Sequence, residues 1–181
     1  MIRSEILLKN TLALQSLADH VADVDSIADA QDAMEFGRTH GAALGCLGEG
    51  SNVILMPRVS GLICRVTRAD ITVVDSDAES VTIDVGAGKN WHELVQETLA
   101  QKCFGLENLA LIPGAVGAAP VHNLCAYGVE VAQRWLSEDD VRGDGPARTL
   151  SADDCDHGYR DRSFKRRGTA RAAPQRVLCA E

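Results

Sequence analysis

The sequence predicts an α+β fold. Its strand-like segments are bunched between two amphipathic helices rather than alternating with them, and no internal repeat or low-complexity stretch points to a solenoid or coiled coil. With 181 residues, 45% of them hydrophobic, the chain can build one substantial core or two small lobes.

The first helix is announced by Ser26 with Asp29 three residues later, a capping-box pattern. Ile27, Ala30 and Met34 then give an apolar face, and Gly41 supplies the stop. "ALGCL" follows as a short buried strand, and after a glycine turn "NVIL", "LICRV" and "ITVVD" read as further strands. In "SVTIDV", Val81, Ile83 and Val85 alternate with Thr82 and Asp84, the pattern of a half-buried strand. Asn90 and Glu93 cap a second helix, whose apolar positions Trp91, Leu94, Val95, Thr98 and Leu99 recur at helical spacing up to Lys102.

The formal net charge of −8 argues against a nucleic-acid or anionic-membrane surface. From Arg160 onward the trend reverses, with Arg162, Lys165, Arg166, Arg167, Arg171 and Arg176, and this basic end is read as solvated. The six cysteines lie at least eighteen residues apart, without a CxxC pair or zinc-finger histidines, so reduced structural thiols are expected and no metal site. No apolar run approaches membrane-spanning length and "MIRSEILLKNTLALQ" lacks a signal-peptide pattern, so a cytoplasmic protein without membrane insertion is expected.

Two glycine turns and one long glycine- and proline-rich segment carry the chemistry. "GEGSN", Gly48 to Asn52, follows a strand, so its backbone N–H groups, the Ser51 hydroxyl and the Asn52 amide suit a phosphate nest. It is neither a Walker loop nor G-x-G-x-x-G, because Val53 occupies the third glycine position; "GAGKNW" fails likewise at Trp91. Between Gly105 and Val131 lie four glycines and two prolines, too many for a long helix or strand. Three backbone-rich loops in one small domain suit a ligand with a pyrophosphate and a large planar ring.

The stretches "LGEGSNVIL", "VGAGKNWHELV", "GLENLALIPGAVGAAPVHN", "AYGVEV" and "GYRD" with "FK" resemble, in order and spacing, the UDP-N-acetylenolpyruvoylglucosamine reductase (UDP-N-acetylmuramate dehydrogenase) family of peptidoglycan synthesis. The resemblance covers about Asn10 to Lys165. It implies a two-lobed FAD-binding domain of the vanillyl-alcohol-oxidase type over residues 1–165, a divergent basic tail over 166–181, and a family substrate domain that this chain lacks. In that family NADPH gives a hydride to the flavin, which passes it to the enolpyruvyl double bond of UDP-N-acetylglucosamine enolpyruvate. By the same resemblance, Gly48, Glu49, Gly50, Ser51 and Asn52 surround the FAD pyrophosphate. Pro113, Gly114, Gly117, Ala118, Pro120 and Asn123 line the flavin and its ribityl chain, with glycine serving close backbone approach.

Arg160, in "GYRD", matches the family arginine that polarises the substrate carboxylate, a task for a permanently charged planar fork. The alternative is an ion pair with Asp161 or with the Asp153, Asp154 and Asp156 cluster. Tyr127 and Tyr159 are either substrate-side hydroxyls or half-buried core tyrosines. The family's proton-donating serine and its assisting glutamate match no residue here. His122, Cys125 and Arg162 replace the usual glutamine, glycine and serine; Cys125 is expected to crowd a backbone that needs freedom. In "WLSEDDVRGDGPARTL", Glu138, Asp139 and Asp140 put like charges where two apolar hairpin strands are expected. Three readings stand: a reductase retaining its FAD domain, a non-catalytic flavin-binding module, or an inactive remnant. An exposed apolar flavin cleft favours self-association in each.

Overall fold

The computed structural model describes residues 1–140, 148–155 and, for the backbone, 175–180. Among the described residues it has two main sheets, each backed by one helix, and a two-stranded hairpin, in agreement with an α+β fold in two lobes.

The first lobe opens with two strands that its charged sequence conceals. β1 (Ile2–Leu7) pairs antiparallel with β2 (Leu17–Val24). On β2 only Ala18, Val21, Ala22 and Val24 turn inward, while Asp19, His20 and Asp23 face outward among Ser4, Arg3, Arg58 and Arg65. α1 (Ile27–His40) follows directly. Ser26 Oγ accepts the Asp29 N–H at 3.2 Å and the Asp29 carboxylate accepts the Ser26 N–H at 2.9 Å, closing the expected capping box. Gly41, left-handed at φ 62°, ends the helix as expected. β3 (Leu44–Cys46) and β4 (Arg58–Val66) complete the sheet in the order β1-β2-β4-β3, with β4 parallel to both neighbours.

Two expectations fail in this lobe. β3 forms but is not buried: it is the edge strand, and Leu44 and Cys46 are exposed. "NVIL" is not a strand; residues 53–56 run as irregular backbone with Ile54 81% exposed, and no described segment pairs with them.

β5 (Ile71–Ser76), β6 (Ser80–Val85) and α2 (Trp91–Ala100) begin the second lobe. Val81, Ile83 and Val85 pack against Trp91, Leu94 and Val95, so the period-2 face of one element meets the period-3.6 face of the other. The Trp91 indole donates to the Leu109 carbonyl at 2.8 Å, which satisfies its one polar atom in the core. The Gly/Pro-rich segment then crosses the lobe in short 3₁₀ turns, Glu107–Leu109, Val116–Ala118 and Pro120–His122. It ends in the small hairpin β7 (Cys125–Ala126) and β8 (Val129–Glu130).

The acidic run does form a strand. β9 (Trp135–Asp140) pairs with β10 (Arg148–Ser151), and Asp139 finds a cross-strand partner: Thr149 Oγ1 donates to it at 2.7 Å. Cys125 sits in β7 without left-handed backbone, so the conformation there does not itself call for glycine. The basic end contributes a strand. β11 (Gln175–Ala180) lies between β9 and β6 at the centre of the order β10-β9-β11-β6-β5, antiparallel to both.

Candidate functional site

The site grows from the end of β3. Past Cys46 the chain turns through Gly48–Asn52, and among the described residues none of those five backbone N–H groups donates to another protein group. Consecutive unpaired donors at a turn are the raw material of an anion nest. The turn is held from below, where the Thr11 N–H donates to the Gly50 carbonyl at 3.2 Å.

Two ties bind this turn to the second lobe. Ser51 Oγ donates to the Pro113 carbonyl at 3.0 Å. The Asn90 amide nitrogen donates to both carboxylate oxygens of Glu49, at 2.8 and 3.0 Å, while its oxygen accepts the Glu93 N–H at 3.0 Å as the cap of α2. The "GAGKNW" turn in turn grips the Gly/Pro segment through its backbone. Gly117 N–H donates to Ala87, Val116 N–H to Lys89, and Trp91 N–H to Gly114, at 2.8, 2.8 and 2.9 Å. The three loops singled out in the sequence therefore converge. Asn90, read from sequence as a cap alone, is the joint between them; its Asn-at-N-cap position beside two glycines was the available signal.

At two of the glycines the chain's own packing already leaves no room for a side chain. A Cβ on Gly50, left-handed at φ 69°, would lie 2.6 Å from the Lys9 carbonyl oxygen, and one on Gly117 would lie 2.7 Å from Ala87 Cβ. The close approach is to the chain's own backbone and side chains. Gly114, at φ 143°, needs glycine for its conformation, with only Ser51 Oγ near its missing Cβ at 3.4 Å. At Gly48 an added Cβ would make ordinary contact with Ala115 and Ala118.

Among the remaining candidates, Ala118 is half-buried and Pro120 is buried at the start of its 3₁₀ turn, where a missing N–H costs nothing. Asn123 is 1% exposed; its amide donates to Glu130 at 2.7 Å and accepts from the Ala132 N–H at 3.2 Å, so it positions the β7–β8 hairpin. Tyr127, at the hairpin tip, is 87% exposed, which overturns the half-buried reading of its ring. Asp154 accepts from the Ser151 hydroxyl and N–H, which hold its carboxyl below the usual range. Tyr159, Arg160, Asp161, Arg162 and Asp156 lie outside the described residues. Among the described residues no group of three or more His, Cys, Asp or Glu side chains is placed to hold a metal ion, and no helix is long and apolar enough to cross a membrane.

The sequence model of the family described as "FAD binding domain" matches residues 18–149. The chain belongs to this FAD-binding family. Within it, the chain is similar to UDP-N-acetylenolpyruvoylglucosamine reductases, being 40% identical over 164 residues to that of Chromobacterium violaceum and 42% identical over 166 residues to that of Ralstonia nicotianae. Each alignment takes in 90% of this chain and 48% of the relative, so the chain spans about half the length of the curated relatives it matches. The solved UDP-N-acetylenolpyruvylglucosamine reductase of Thermus caldophilus superposes with a TM-score of 0.78 at 25% identity, covering 98% of this chain and 63% of that one. A vanillyl-alcohol-oxidase-type flavoprotein from Myceliophthora thermophila shares the fold at a TM-score of 0.60 and 15% identity, over 90% of this chain and 31% of its own. These matches agree with the vanillyl-alcohol-oxidase-type architecture and the family that the motifs implied.

The residues of the FAD-binding family member described here fit a dinucleotide. Among the described residues the five N–H groups of the turn meet no protein acceptor and can donate to a pyrophosphate, and the adjacent Gly/Pro segment is locked in place by backbone bonds rather than by bulky side chains.

Proposed function

We propose that the chain is the FAD-binding module of a UDP-N-acetylenolpyruvoylglucosamine reductase, with the flavin held between the two lobes. The single observation that carries this is the Gly48–Asn52 turn, with its N–H groups unpaired and its Glu49 and Ser51 side chains tied to Asn90 and Pro113 across the lobe boundary. The domain takes in residues 1–165 together with β11, which fills the centre of the second sheet.

In this reading the Gly48–Asn52 donors bind the pyrophosphate, with Ser51 and Asn52 adding side-chain polarity. Pro113, Gly114, Gly117 and Ala118 shape the wall along the flavin, Pro120 starts the following turn, and Asn123 holds that wall through Glu130 and Ala132. FAD supplies the two-electron carrier, and NADPH is the donor by family likeness. Arg160 is assigned the substrate carboxylate, and Tyr127 and Tyr159 the substrate side. The chain matches about half of its relatives' length, so the module reading is favoured over turnover by this chain alone. Cytoplasmic placement follows from the same family reading. Exposed Ile54, Met56 and Leu111 flank the two loops and favour self-association when the flavin is absent.

The visible spectrum of the purified chain tests the module: a flavin spectrum released by denaturation is expected, and failure to retain added FAD would refute it. Anaerobic mixing of photoreduced protein with UDP-N-acetylglucosamine enolpyruvate tests turnover. No flavin reoxidation is expected; formation of the lactyl product would show that this chain supplies its own acid.

A further inference from the structure

We propose that Cys46 and Cys64 form a dithiol that hydrogen peroxide converts to an intrachain disulfide. Cys46 closes β3 and is the direct register partner of Cys64 on β4, after Leu44 opposite Leu62 and Gly45 opposite Ile63. Paired strands lie about 4.7–4.9 Å apart, and a disulfide spans Cα atoms about 4.4–6.8 Å apart, so paired residues on one face can be bridged with the backbone where it stands.

The two thiols differ in the way a nucleophile and a resolving thiol must. β3 is the sheet edge, which leaves Cys46 exposed to a dissolved oxidant, whereas Cys64 is 6% exposed behind it. The neighbouring Cys46 sulfur, and then burial, push the Cys64 thiol well up, and exposure makes Cys46 the sulfur that meets peroxide. By contrast, Cys103 is buried with its thiol on the Gln101 carbonyl, and Cys125 faces Glu130 in its hairpin.

The chemistry balances without a metal. The Cys46 thiolate attacks one peroxide oxygen, the O–O bond breaks, and hydroxide leaves from a Cys46 sulfenic acid. The Cys64 sulfur then attacks the Cys46 sulfur. The S–O bond breaks, and the Cys64 proton leaves with that oxygen as water. Two thiols lose one electron each, and one peroxide is reduced to two waters. The ring so closed contains Leu47 through Ile63, and therefore the whole Gly48–Asn52 turn. The bond itself does not depend on what that turn binds.

The test is peptide mapping of the full chain after treatment with stoichiometric hydrogen peroxide, alkylation and trypsin. Peptide Thr39–Arg58 should appear linked to Val59–Arg65, with two of the six thiols lost and both regained on reduction. Cys64→Ala should leave Cys46 as a sulfenic acid trapped by dimedone, and Cys46→Ser should leave Cys64 unoxidised. Recovery of both peptides unlinked from the oxidised wild-type chain, or of Cys46 as sulfinic acid or bound to a different cysteine, overturns the proposal. The wild-type map decides it even if a variant fails to fold.

Discussion

Asn90→Asp separates the two duties of one side chain. Aspartate caps a helix as well as asparagine does, so the bond to the Glu93 N–H, 3.0 Å in the native chain, survives. Both amide donors to Glu49, now at 2.8 and 3.0 Å, are lost and a second carboxylate faces the first. Hydrogen bonds to a charged group contribute about 1.5–3 kcal/mol in buried settings. Glu49 is exposed, so solvent screening reduces the pair, repulsion included, to about 1.5–2 kcal/mol. If the turn must be held in place to bind FAD, that energy appears as a dissociation constant raised about tenfold to thirtyfold. The assay is FAD titration by flavin fluorescence, with far-ultraviolet circular dichroism reporting α2. Adding Glu49→Gln returns a donor to the new carboxylate and should recover most of the affinity. An unchanged FAD affinity, or loss that the double variant does not relieve, would refute the claim that Asn90 positions the turn.

Gly50→Ala should destabilise the fold by about 3 kcal/mol, lowering Tm by roughly 6–12 °C, because left-handed backbone and the Lys9 carbonyl both oppose a Cβ. Gly48→Ala, which meets only Ala115 and Ala118 at ordinary contact, should leave Tm within about 2 °C; equal losses in the two would show that their surroundings are not as described. The Glu107 carboxylate is held below its usual range by its own backbone N–H, then by that of Gly105, with Arg134 adding to them. A lowered folded pKa gives stability that is present above the unfolded value of about 4.3 and lost as pH falls through the folded one. Glu107→Gln should therefore flatten the acid limb of a Tm-against-pH curve, and an unchanged limb would dismiss the assignment. Deleting residues 175–181 removes β11 from between β9 and β6 and should abolish cooperative melting of the second lobe, read by tryptophan fluorescence, since Trp91 and Trp135 both lie in its core.

The sequence by itself determined the elements whose signals are local. The α1 capping box and Gly41 stop involve residues within one turn of each other, and the β6 and α2 periodicities depend on no distant partner. Long, ordered motifs likewise settled the family, because "GLENLALIPG" carries its identity in its letters. Only the tertiary structure decided the rest. β1 and β2 were hidden because their outward charges are matched across the sheet, by Arg3 and Arg65 on Asp23 and by Arg58 on Asp19, and those partners are distant in sequence. "NVIL" has the composition of a strand and, among the described residues, no partner; "RVLC" has barely enough and lies at the centre of a sheet. At the site, sequence named the three loops, but the reason for glycine at positions 50 and 117 lies in Lys9 and Ala87, and the joint at Asn90 exists only because Glu49, forty-one residues earlier, folds against it. A hydrogen bond between distant residues leaves no periodicity to read, so packing alone could reveal it.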